Sequence, residues 1–109
     1  MSEKMITEHV WTRTDASLFE TLVDRDEVMI NHVVVPAGGG FPAHPTDATV
    51  CIQILRGILS ITTEVTGAVL HGPGKIIEVD RQTMVKLENG GEGCLELLVV
   101  KAPHPRTIT

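Results

Sequence analysis

At 109 residues and 11.8 kDa the chain has room for one domain around one hydrophobic core, and too little for two. Its 42% hydrophobic and 21% charged residues exclude disordered and collagen-like classes. A formal net charge of −5, nine Lys and Arg, and aromatics limited to Trp11, Phe19 and Phe41 leave little to attract phosphates or stack bases, so no nucleic-acid partner is expected.

The opening Met1-Ser2-Glu3-Lys4-Met5 lacks the basic-then-apolar layout of a signal peptide, and no apolar run approaches the ~18 residues that span a bilayer. The expectation is a cytoplasmic protein without membrane contact. Residues 1–26 read as amino-terminal strands or a short helix. Ile6, His9, Val10 and Trp11 suggest an opening strand whose indole covers a barrel edge. Ala16 to Val23 is either a helix capped by Asp15, with Leu18, Leu22 and Phe19 on one face, or a strand leading into Asp24-Arg25-Asp26.

From 27 to 101 the apolar pattern is short-period. Strands are expected at Val28–Val35, Val50–Leu55, Ile58–Val65, Ile76–Val79, Thr83–Leu87 and Leu95–Val100. Between them stand turn signals such as Pro36-Ala37-Gly38-Gly39-Gly40, Thr66-Gly67, Gly72-Pro73-Gly74 and Asn89-Gly90-Gly91. Many short strands with regular punctuation point to an all-β sandwich or barrel, one domain over 1–109. Alternation turns Thr83, Val85 and Leu87 inward and Met84, Lys86 and Glu88 outward. The strand Leu95–Val100 is apolar on both faces, which suggests a covered outer face and a homodimer. Cys51 and Cys94, within apolar stretches, read as buried free thiols. The tail 102–109, broken by Pro103 and Pro105, is expected to be loose.

Gly38, His44 and Gly57 fall in register with a spacing of Gly, five residues, His, one, His, three or four, Glu, six, Gly. Gly74 and Asn89 fit a second spacing of Gly, five, Pro, one, Gly, two, His, three, Asn. In these segments the chain resembles the cupin superfamily. The resemblance implies a minimal double-stranded β-helix, a jelly-roll barrel, with Gly57 and Gly74 serving as tight turns at positive φ. It also implies that metal ligands would come from the positions held here by His44, Thr46, Val50 and Val85. One imidazole among them cannot supply the three or more protein ligands of a catalytic zinc or iron site, so no cofactor is expected.

His44 sits between Pro42 and Pro45, which restrict where its imidazole points. Strand parity would line the interior with Val50, Ile52, Ile54, Val85 and Leu87. The expected ligand-binding set is therefore His44, Thr46, Val50, Ile52 and Val85, an apolar pocket with a small polar lip that takes a small-molecule ligand. The competing readings are that these side chains pack the barrel shut and that His44 only bonds its own loop. His32, His44, Asp47, Cys51 and His71 are the other candidates for a divalent metal, with only His44 and Asp47 closely spaced. His44 oriented by Asp47 could also act as a general base without metal, as in some sugar epimerases of the superfamily, but the chain has no tyrosine to serve as the acid. His9 and His104 are expected to be exposed, and Met84 to face away from the pocket. The preferred function is a small-molecule-binding or sensing barrel. The alternatives are a metal-dependent dioxygenase or isomerase with a ligand set rearranged around His44, and a purely structural dimer.

Overall fold

The computed structural model describes residues 5–108. Nine strands are arranged in two facing antiparallel sheets. They are β1 (Leu18–Asp24), β2 (Met29–Val35), β3 (Gly40–Pro45), β4 (Thr49–Arg56), β5 (Leu59–Thr63), β6 (Gly67–His71), β7 (Ile76–Val79), β8 (Met84–Asn89) and β9 (Leu95–Ala102). One sheet runs β1-β2-β9-β4-β7 and the other β3-β8-β5-β6, the double-stranded β-helix expected from the resemblance. The sandwich has two open sides, one between the edge strands β1 and β3 and one between β6 and β7. Among the described residues no helix is long and apolar enough to cross a membrane.

The core is the set of inward positions that period-two alternation selects. Val33, Val35, Val50, Ile52, Ile54, Leu95 and Leu97 from one sheet meet Leu59, Ile61 and Val85 from the other. The outward positions of β9 and β4 (Leu98, Val100, Cys51) are half-buried, as is Cys94, so the two free thiols are less deeply enclosed than expected.

Several elements depart from the sequence-based reading, each for a tertiary reason. For Ala16–Val23, where helix and strand were both open, the strand forms over Leu18–Asp24, because β1 completes a ladder with β2 from Leu18↔Val34 to Asp24↔Met29. Pairing with a neighbour overrides weak helical periodicity. The loop around His44 is strand β3, paired with β8 at Phe41↔Leu87 and His44↔Val85 and irregular between them, where Pro42 has no N–H to donate. The stretch Ile58–Val65 ends at Thr63, and the chain turns back as the unanticipated β6. Residues 5–17 form no strand. Trp11 covers the outer sheet face rather than an edge, stacking on His32 with ring centroids 5.5 Å apart.

Gly57 has the expected positive φ of 86° but closes no hairpin, since β4 and β5 belong to different sheets. It turns the corner between them against the β9 backbone, where a Cβ would stand 2.4 Å from the Cys94 carbonyl oxygen. The tail is anchored. A 3-10 turn spans Pro105–Thr107, Arg106 pairs with Asp24 and Asp26, and His104, expected to be exposed, is largely covered and lies 2.9 Å from Asp24.

Candidate functional site

The antiparallel pair His44↔Val85 places His44 on the inner face of β3, at the open side of the barrel between β1 and β3. Its Nδ1 lies 2.9 Å from the Pro42 carbonyl oxygen. A carbonyl only accepts, so Nδ1 carries the hydrogen, and in the neutral ring Nε2 is the nitrogen left to accept. The bond to its own loop is therefore real, and it also fixes the tautomer offered to a ligand.

Thr46 is buried, and its hydroxyl is already engaged. It donates to the Asp80 carbonyl at 2.6 Å and accepts the Thr83 amide at 3.0 Å. Backbone bonds from Thr46 to Thr83 and from Gln82 to Thr46 complete a bolt between the loops that follow β3 and β7. Asp47 does not orient His44. It pairs with Lys101 at 3.0 Å, because β9 continues past Val100 and the parity of Leu95, Leu97 and Val99 turns Lys101 inward as well. Lys101 is thus a site residue that the same alternation could have revealed, had the strand been extended by one residue.

Val50, Ile52 and Val85 are all buried on inner faces, as parity required. With His44, Thr46, Asp47, Val79, Leu87, Val99 and Lys101 they enclose a cavity of about 60 Å³. That is the space of roughly two water molecules. A second cavity of about 110 Å³ adjoins it across His44, Leu87, Val99 and Lys101, and opens toward Phe19, Asn31 and Phe41. The space under His44 is thus narrow and mostly hydrocarbon, with one imidazole and one ion pair at the rim.

The four positions that hold metal in the resemblance provide one free nitrogen, one committed hydroxyl and two hydrocarbons. This donor set does not fit a divalent ion held by three protein ligands. Among the described residues no three His, Cys, Asp or Glu side chains gather in ligating geometry. The other sequence candidates are dispersed. Cys51 lies on the outer face of β4, paired with Val100, and His71 on the inner face of β6.

His32 is fully buried on the outer face of β2, with Nδ1 2.7 Å from Glu20 and Nε2 2.6 Å from Glu96. Arg56 joins Glu96 to Asp15 and to the Thr14 carbonyl, and the Thr12 amide bonds Glu20. The Thr12 amide and the His32 ring hold the Glu20 carboxyl below its ordinary value. This network ties the amino-terminal arm to the sheet and leaves His32 with no open coordination position.

No protein-family model matches the chain. It is 34% identical over 89 residues to an uncharacterised protein of Methanocaldococcus jannaschii, covering 82% of this chain and 77% of that protein. The crystal structure of that protein, described as an RmlC-like cupin with a double-stranded β-helix fold, superposes with a TM-score of 0.89 over 97% of this chain and 98% of the other, at 29% identity. A cupin superfamily protein of Desulfitobacterium hafniense shares the fold at a TM-score of 0.72 and 18% identity, over 87% of this chain and 84% of that one. A conserved Streptococcus pyogenes protein of unknown function does so at 0.70 and 21%, over 84% and 78%. With a relative 34% identical over 82% of this chain and 77% of that protein, whose crystal structure is that of an RmlC-like cupin, the chain belongs to the RmlC-like cupin family.

Proposed function

We propose that this cupin binds or senses a small, largely apolar molecule in the space under His44, without a metal cofactor. The observation that carries the reading is the pairing of a free, tautomer-fixed His44 Nε2 at the rim with hydrocarbon at Val50 and Val85 beneath it. His44, Val50, Ile52 and Val85 shape the site, Thr46 holds its wall, and Lys101 with Asp47 adds a polar edge that orients a ligand. The cavity sizes favour a ligand of few atoms. The protein acts as a homodimer in the cytosol, where free Cys51 and Cys94 suit reducing conditions. Met5, Ile6 and Val10 on the amino-terminal arm are 86%, 95% and 85% exposed, a run of apolar surface that a second copy would cover.

A thermal-shift screen of small apolar compounds, followed by calorimetry, tests this. One saturable site per chain is expected, lost in Val99→Phe while the far-UV dichroism of the variant stays native. Absence of any saturable ligand, or unchanged affinity in Val99→Phe, overturns the reading. One equivalent of bound metal that disappears in His44→Ala overturns its metal-free part.

A further inference from the structure

The cavity of about 110 Å³ beside His44 has a buried polar residue in its wall, Asn31. Register pairs Asn31 with Thr21 of β1 and with Val99 of β9, so its side chain stands on the inner face, two places along β2 from the inward Val33. Asn31 is 1% exposed, and its Oδ1 accepts the Thr21 hydroxyl at 2.8 Å. Its Nδ2 carries two further donors, and among the described residues no protein group accepts from them. Burying an amide with idle donors is costly in a wall that valine or leucine would fill. This nitrogen is not walled off, however. The one unpaired side-chain nitrogen or oxygen sealed from solvent among the described residues is His71 Nδ1, so the surface that Asn31 retains includes its own unpaired nitrogen and opens on the cavity it lines.

The rest of the lining narrows the chemistry that can meet this donor. Val33, Leu87, Leu97 and Val99 supply hydrocarbon, and Phe19 and Phe41 flank the mouth from the edge strands β1 and β3. Phe19 is 59% exposed there, an aromatic ring with free surface on the inner side of an edge strand. Lys101 is already paired with Asp47 at 3.0 Å, so the mouth offers no unbalanced positive charge, and a carboxylate would bring a second negative charge beside Asp47. The neutral His44 ring has Nε2 left to accept. The wall therefore presents one idle donor and one idle acceptor around an apolar space.

We infer that the ligand of the His44 site is a short-chain primary carboxamide, its carbonyl oxygen accepting from Asn31 Nδ2, its N–H donating to His44 Nε2 and its hydrocarbon arm lying among Val33, Leu87, Leu97 and Val99. This rests on the reading of that side of the barrel as a site for small, largely apolar molecules, and adds the one functional group that the wall selects. Asn31 is the specificity-determining residue.

Isobutyramide is the probe, titrated into the ¹⁵N-labelled full chain and followed by two-dimensional NMR. Isobutyrate is its charged counterpart, and 2-chloropropane carries the same branched hydrocarbon without the oxygen or the N–H. The expected result is saturable binding of isobutyramide with a dissociation constant on the order of 1 mM, within reach of so small a ligand. The side-chain amide of Asn31 and the His44 ring nitrogen should both shift in the unmodified protein. Binding should be at least about fivefold weaker for 2-chloropropane and about tenfold weaker for isobutyrate. In Asn31→Leu, which keeps the volume, the preference for isobutyramide over 2-chloropropane should fall by at least about threefold. An unmoved Asn31 side-chain amide, equal binding of 2-chloropropane, or tighter binding of isobutyrate overturns the inference. If 2-chloropropane binds in the cavity and isobutyramide does not, the apolar site stands and its carboxamide ligand is excluded, whereas saturable binding by none of the three removes both. The side-chain amide signal needs no variant, so it decides even if Asn31→Leu fails to fold.

Discussion

Two backbone positions show how local stereochemistry is set against close packing. Gly57 combines positive φ with the β9 backbone at van der Waals range, so a side chain there meets both strain and collision. Gly57→Ala should destabilise the fold by about 3 kcal/mol in denaturant unfolding, summing left-handed strain and overpacking. Gln82 is the opposite case. Its φ is +62°, it is exposed, and it falls at the second glycine of the spacing that begins at Gly74. Its amide still bonds the Thr46 carbonyl, a bond that glycine would keep. Gln82→Gly should therefore stabilise by about 0.5–1 kcal/mol, read as a rise of a few degrees in Tm.

At the scale of elements, the strands are joined by more than ladder bonds. The buried His32 links β1 to β9 through Glu20 and Glu96 across the face of β2. Removing the imidazole leaves two carboxylates facing each other over an apolar side chain. His32→Leu should cost about 3 kcal/mol and loosen the arm that Trp11 anchors, seen as faster amide exchange at Thr12. Glu20 adds an acid-side consequence. Its carboxyl is held below the ordinary 4.5, so its contribution is complete above that value and is lost as pH falls through the lowered one.

For the whole molecule, the two open sides of the sandwich each expose one inner-face histidine, His44 between β1 and β3 and His71 between β6 and β7. His44 is solvated, whereas His71 is desolvated and held below 6.5. A depressed histidine value means that the unfolded chain binds the proton more readily, so stability is complete above pH 6.5 and declines as pH falls toward the folded-state value. Tm measured from pH 7.5 to 5.5 should fall more steeply in the wild type than in His71→Phe. All other groups are common to both proteins and cancel in the comparison. Equal slopes would show that His71 carries no such penalty.

Much of this arrangement was legible in the residues. Alternation placed Val50, Ile52, Val85 and Leu97 inward, and the spacing from Gly38 to Gly57 and from Gly74 to Asn89 pointed to the barrel, because side-chain period and turn glycines are local properties. The choice of strand over helix for β1, and the existence of β3 as a strand, were not legible, since pairing with β2 and with the distant β8 decides them. Nor were the partners of His44, Asp47 and His32: the three-residue spacing of His44 and Asp47 suggested a pair, yet the fold gives Asp47 to Lys101, 54 positions away, and His44 to a carbonyl two residues back. Sequence alone determined which faces are apolar and where the chain turns. Only the tertiary structure decided which polar groups are spent on one another and which, like His44 Nε2 and His71 Nδ1, are left over, because hydrogen bonds and ion pairs are settled by distance in space.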